Sequence, residues 1–266
     1  MSPTRTPDSP IALFDSGVGG ISVLAEMLRL MPHESYLYFG DSANAPYGSR
    51  SAEDVRTLTD THISRLLDLG AKAIVIACNT ATGAAVAYLR KKYPSIPIIG
   101  MEPAVRPAAL AHPAKRILVM ATPVTLASEK FRTLMDAYAS AAQIIPVPCQ
   151  RLARMVESGI LAGDELRAYL DEVLAPHLPA DAVVLGCTHY PFVRSVIAEA
   201  AGTDRIYDGG EGTARETARR LALCGMLRQS AEPGTVQILN SDPTEERIRF
   251  CRELLLSAVD TPPVFS

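Results

Sequence analysis

Short aliphatic runs alternate with amphipathic segments of helical period along most of the chain, and that alternation leaves few architectures open. The runs fall at 11–14, 36–39, 73–77, 96–99, 117–120, 143–147, 182–185, 205–207 and 235–239. Helical spacing of apolar residues marks 21–30, 52–69, 81–93, 126–138, 165–174 and 211–227. Strand then helix, repeated, predicts an α/β fold with largely parallel sheets. In such sheets ligands gather outside the carboxyl ends of the strands, and the polar motifs of this chain sit at those ends.

Two of these motifs carry a cysteine. Cys78 closes the run Ala73-Ile74-Val75-Ile76-Ala77 and Cys187 follows Val183-Val184-Leu185-Gly186. A thiol between a buried strand and the first turn of a helix meets unpaired N–H groups that favour thiolate, although a free cysteine also packs readily as a small hydrophobe. The two positions belong to a weak repeat. Asp15 precedes Cys78 by 63 residues, and Thr122, after the first strand of the second half, precedes Cys187 by 65. Two pseudo-symmetric α/β lobes would then face each other, each giving one thiol to a cleft between them.

The remaining turns supply polar groups. Phe14-Asp15-Ser16-Gly17-Val18-Gly19-Gly20 resembles a dinucleotide-binding turn, but Ser22 replaces its third glycine and Asp15 would oppose a pyrophosphate. It reads either as a cradle for a smaller anion or as a plain tight turn with Asp15 as helix cap. The loop Gly40-Asp41-Ser42-Ala43-Asn44-Ala45-Pro46-Tyr47-Gly48 could close over a ligand or serve only as a turn. Asn79 and Thr80 can cap a helix beginning at Ala81 and can also donate to a carboxylate. His189, two residues from Cys187, could orient that thiol or exchange protons with it.

Composition narrows the function classes. The net charge of −3 and the absence of any Lys/Arg block argue against direct nucleic-acid or anionic-membrane binding. No apolar run approaches membrane-spanning length and residues 1–10 lack a signal-peptide core, so a cytoplasmic location is expected. Five scattered cysteines without C-x-x-C pairing fit a reducing compartment. Cys78, Cys187 and His189 could converge on zinc, but spacing suggests no fourth ligand, so no metal is expected. Two opposed thiols suit removal of a Cα proton from one face and its return to the other, whereas a cysteine hydrolase needs one thiol and a base. None of the five lysines, at 72, 91, 92, 115 and 130, falls at the carboxyl end of a predicted strand. A pyridoxal phosphate Schiff base is therefore not indicated, and no cofactor is expected.

With Ala77-Cys78-Asn79-Thr80-Ala81, Gly186-Cys187-Thr188-His189-Tyr190-Pro191 and Asp208-Gly209-Gly210-Glu211 added to the two motifs above, the chain resembles the cofactor-independent glutamate racemases. The resemblance implies that Cys78 and Cys187 are the acid/base residues, Asp15 assisting the first and His189 the second. It also implies that Asp15, Ser16, Tyr47, Gly48, Asn79, Thr80, Thr188 and His189 bind the amino acid, with Glu157 as an auxiliary. It further implies one lobe from 1–102 plus 209–266, a second from 103–208, a homodimer, and a supply of D-glutamate for peptidoglycan. Glu157 lacks the family's usual Pro-rich lead-in, and Ala121-Thr122-Pro123-Val124-Thr125 differs from its usual Gly-Thr pair. Three alternatives remain: a racemase for aspartate or another amino acid on the same scaffold, a dinucleotide- or flavin-binding module, and a regulatory protein of the kind that binds DNA gyrase.

Overall fold

Strands β1 (Ile11–Asp15), β2 (Tyr36–Gly40), β3 (Ala73–Ile76) and β4 (Ile98–Gly100) are almost wholly buried, which is why they read as continuous apolar runs. In the computed structural model, which describes residues 3–266, they pair in parallel in the order β2-β1-β3-β4. Strands β5 (Arg116–Ala121), β6 (Gln143–Pro148), β7 (Ala182–Leu185) and β8 (Ile206–Asp208) form a second parallel sheet in the order β6-β5-β7-β8. Strand for strand, the two orders are the same. Late in the chain, β9 (Thr235–Asn240) adds beside β2 and β10 (Val264–Phe265) beside β9, widening the first sheet to six strands.

In each sheet the first strand lies between the second and the third, so successive connections leave it in opposite directions. A crevice opens at the carboxyl end of such a strand. Asp15 ends β1 and Thr122 follows β5, while Cys78 and Cys187 follow the neighbouring β3 and β7.

The helices are α1 (Ile21–Leu30), α2 (Ala52–Asp68), α3 (Asn79–Lys92), α4 (Val105–Ala111), α5 (Pro123–Ala127), α6 (Glu129–Tyr138), α7 (Leu152–Glu157), α8 (Asp164–Leu174), α9 (Arg194–Ala201), α10 (Gly210–Leu223) and α11 (Glu245–Ala258). The helix expected over 126–138 is instead two, because Ser128 takes an extended conformation between them. Its hydroxyl donates to the Thr125 carbonyl at 2.7 Å and accepts the Phe131 N–H at 3.2 Å, ending one helix and capping the next. Helix α3 begins at Asn79, two residues earlier than expected, since Cys78 itself is the cap. Helix α10 stops at Leu223 rather than 227.

One apolar cluster runs through both sheets, joining Leu13, Val75, Leu118 and Val183 with residues of α1, α7, α8 and α11. Two smaller clusters cover the remaining face of each sheet. Among the described residues no helix is long and apolar enough to cross a membrane.

Candidate active site

The loops after β1, β3, β5 and β7 converge on one narrow pocket. Ser16, Tyr47, Gly48, Cys78, Asn79, Thr80, Thr122, Glu157, Cys187, Thr188 and His189 line it, so both sheets contribute walls. The cavity is about 20 Å³, room for roughly one water. Asp15 is fully buried behind this lining.

On the first wall, the Cys78 thiol accepts the Ala81 N–H at 3.4 Å and thereby caps α3. The helix end does not hold it as thiolate. Burial, reinforced by the Asp15 charge, pushes the thiol up to about 12 against opposing hydrogen bonds from Ser16 and Ala81. The next side chain, Asn79, is buried with neither its amide nitrogen nor its oxygen hydrogen-bonded. An unsatisfied buried polar group costs about 1–3 kcal/mol, so this amide reads as one kept for a ligand. Thr80 reaches the opposite wall, its hydroxyl 3.1 Å from those of Thr122 and Thr125, which are 3.0 Å apart.

On the second wall, His189 Nδ1 lies 3.6 Å from Cys187 Sγ, and its Nε2 lies 2.7 Å from Glu157 Oε1. Burial opposes a charged imidazole, yet the bonds to Cys187 and Glu157 prevail and lift His189 well above its ordinary pKa. Glu157 moves the opposite way. Burial would raise it, but His189, the Val18 N–H and Arg247 together hold it below its ordinary value. Both shifts favour the charged forms of this buried pair, which is set against the Cys187 sulfur.

Asp15 joins the walls. It accepts the Gly17 N–H at 2.9 Å and the Thr188 hydroxyl, from the other lobe, at 3.0 Å. Burial raises its pKa despite His189 and these two donors. One of its side-chain hydrogen bonds thus lies within its own turn and the other comes from the Cys187 loop, and neither involves Cys78.

The glycine turn is shaped by the second sheet's side chains. A Cβ on Gly17 would overlap the Glu157 carboxylate, and one on Gly19 would overlap His189 Nδ1 and Thr188 Oγ1. The Val18 N–H, which a phosphate-binding turn would offer to its ligand, donates instead to Glu157 Oε1 at 2.7 Å. Across the pocket Tyr47 is fixed from behind. Its hydroxyl donates to Asp41 Oδ2 at 2.6 Å, and His62 Nε2 sits 3.2 Å from the same oxygen. Although burial disfavours its charge, hydrogen bonds from His62 and Tyr47 hold Asp41 far below the usual carboxylate range.

Residues 16–217 match the family described as Asp/Glu/Hydantoin racemase. The chain belongs to that family. A relative called glutamate racemase in Clostridium botulinum (strain Alaska E43 / Type E3) is 46% identical over 252 residues, covering 94% of this chain and 98% of its own. The solved glutamate racemase of Thermus thermophilus, in complex with beta-chloro-D-alanine, is 32% identical with a TM-score of 0.77 over 98% of this chain and 97% of that one. The Escherichia coli glutamate racemase, in complex with L-glutamate and the activator UDP-MurNAc-ala, is 27% identical with a TM-score of 0.77, covering 96% of each.

Every site residue singled out in the sequence lies in this racemase-family pocket or directly behind it. Four further residues join them. Thr122 and Thr125 complete the hydroxyl cluster, His62 buttresses Asp41, and Arg247 Nη1 reaches both Glu157 Oε2 at 3.2 Å and the Glu157 carbonyl at 3.0 Å. The turn that holds Thr122 and Thr125 was marked in the sequence as the counterpart of the Asp15 turn, but His62 and Arg247 had no local signal, because each is placed only through a partner distant in sequence. Among the described residues, Lys72 is the one buried lysine; it lies at the other end of β3, paired with Glu34 at 2.5 Å.

Proposed function

We propose that this protein interconverts L- and D-glutamate by moving a proton at Cα, with Cys78 and Cys187 as the two acid/base residues. The observation that carries the reading is that the two thiols, on equivalent loops after β3 and β7, line one pocket from opposite walls. One thiolate takes the Cα proton: the C–H bond breaks, an S–H bond forms, and the electron pair stays on carbon and its carboxylate. The opposite thiol then delivers its proton to the other face, its S–H bond breaking as the new C–H bond forms. Each turnover leaves the two sulfurs with exchanged protonation, ready for the reverse reaction.

Burial of Cys78 supports a role as proton donor in the first half of one direction, since it keeps that thiol protonated at neutral pH. Beside Cys187, the charged His189 is placed to exchange a proton with the sulfur or to stabilise its anion. The idle amide of Asn79 and the hydroxyls of Thr80 and Ser16 would take the substrate carboxylate, with Tyr47, Gly48 and Thr188 closing around the rest. Asp15 would act by fixing the Thr188 hydroxyl and by its charge. A pocket of about 20 Å³ does not admit an amino acid, so binding requires the walls to part and then to exclude water on closing. The lobes would be 1–102 with 209–266, and 103–208. The biological output would be D-glutamate for peptidoglycan.

Family membership and the names of the close relatives support glutamate as substrate. The test is incubation of each glutamate enantiomer in D2O without added cofactor, followed by circular dichroism and Cα deuterium content. Loss of optical activity with incorporation of one deuterium is expected from either hand. Inversion of aspartate but not glutamate would overturn the substrate assignment, and inversion without solvent deuterium would overturn the proton-transfer route.

A further inference from the structure

Glu157 is the most heavily engaged carboxylate of the site, and its contacts come from chain segments far apart. Oε1 accepts from Val18 N at 2.7 Å and meets His189 Nε2 at 2.7 Å. Oε2 accepts from Arg247 Nη1 at 3.2 Å and from Ser42 Oγ at 3.4 Å. Arg247 also donates to the Glu157 carbonyl at 3.0 Å, where α7 ends. One guanidinium nitrogen thus holds both the backbone and the side chain of the residue that carries His189. On its outer side Arg247 is 3.6 Å from Asp242 and lines a cavity of about 340 Å³, which Glu157 also borders. Glu157 borders both that cavity and the narrow pocket between the sheets, and Arg247 holds it from the outer side.

We propose that Arg247 is a positioning residue for the Cys187 side of the site, anchoring Glu157 so that His189 is held against Cys187 in both place and charge. This rests on the reading of the pocket as a two-thiol racemase. Bonding energy shared with Arg247 is withheld from His189, so the guanidinium limits how tightly the imidazole keeps its proton. The other titratable groups facing Glu157 and His189 are Asp15 from β1, Tyr38 from β2, Cys187 itself and Cys251 from α11. Only Arg247 among these carries a fixed positive charge at every working pH. Because it belongs to α11, it ties the C-terminal part of the chain, which β9 docks onto the first sheet, to a relay that begins on the second.

The test compares wild type with Arg247→Met and Arg247→Lys, each also made in a Glu157→Gln background. His189 is titrated between pH 6 and 10 by NMR of the nitrogen-15-labelled imidazole, and glutamate racemisation is followed alongside. Arg247→Met is expected to move the His189 titration alkaline by about half a unit or more and to lower kcat roughly tenfold, with KM within about twofold. Arg247→Lys keeps the charge and should restore the titration but only part of kcat. In the Glu157→Gln background Arg247→Met should change neither quantity further, because its effect passes through Glu157. A His189 titration in Arg247→Met that matches wild type, or an equal shift in the Glu157→Gln background, would overturn the proposal. Wild-type protein that titrates as described but does not racemise glutamate would overturn the functional reading alone.

Discussion

The hydroxyl of Thr188 donates to Asp15 Oδ2 at 3.0 Å, joining the loop after β7 of the second sheet to the last residue of β1 of the first. Both partners are buried, so the bond has no water to replace it. Thr188→Val, which keeps the shape and removes the donor, should lower stability to urea by about 1–3 kcal/mol and reduce racemisation. Thr188→Ser should retain most of both. Equal urea midpoints for Thr188→Val and wild type would remove Asp15 as a cross-lobe tie.

Cys78→Ser and Cys187→Ser each replace a proposed acid/base group by one far too weakly acidic to share the work. Each should lower kcat for inversion by about 10²–10⁴-fold while the far-ultraviolet circular dichroism stays that of wild type. Full activity in either variant would sink the assignment of two bases.

Gly17→Ala places a methyl where the Glu157 carboxylate lies. The carboxylate must give way, taking with it the Val18 and His189 contacts. Inversion should fall by roughly 10²-fold, with a loss of about 1–3 kcal/mol in stability from the crowding. Steady-state kinetics and urea unfolding of the same preparation check both. A fully active Gly17→Ala enzyme would show that Glu157 is not needed where it stands.

His62 sits with its ring 4.6 Å from that of Phe39 and its Nε2 at Asp41, which in turn holds Tyr47. His62→Phe keeps the aromatic packing and removes the nitrogen. The loop carrying Tyr47 and Gly48 should loosen, raising KM for glutamate by about threefold to tenfold with a smaller effect on the unfolding temperature. An unchanged KM would limit His62 to packing.

Alkaline pH should destabilise the fold before it reaches the usual range of lysine. Burial holds Cys78, Cys149 and Cys251 at about 12, against an ordinary value of 9.0. Between those limits the folded chain keeps protons that the unfolded chain has released. The stability these thiols contribute is therefore fully present below pH 9 and is lost progressively as pH rises toward 12. Each should contribute up to about 1.4 kcal/mol per pH unit. Urea unfolding at pH 8 and pH 10 measures the slope, which Cys251→Ala should flatten; a stability independent of pH across that interval would contradict the burial argument.

The parts of this fold that were legible are those whose signal is local. Strand β3 and strand β7 are buried on both faces, so each wrote an unbroken apolar run that ended visibly at its cysteine. Helix α11 was not legible because Glu245, Glu246, Arg247, Arg249 and Arg252 interrupt its apolar stripe and read as a solvated surface. Arg247 belongs to that run of charges and gives no hint that it turns inward. The break at Ser128 was hidden for a different reason: helical spacing of apolar residues continues across it, and only the serine's two hydrogen bonds separate α5 from α6. Glu157 could be named only as an auxiliary, since its importance lies in partners 139 residues before it and 90 after it.

Strand β9 inserts next to β2, and its last residue and those that follow reach the loops of the candidate site: Asn240 donates to Ser42 at 3.0 Å, Ser241 accepts from Ala43 at 3.0 Å, and Arg247 grips Glu157. During synthesis both thiols and most of both sheets emerge long before these contacts can form. A nascent chain that has reached Cys187 therefore carries both sulfurs without these supports until a further 53 to 60 residues, up to Asn240 and Arg247, have been added, and that late segment acts as the release of a safety catch.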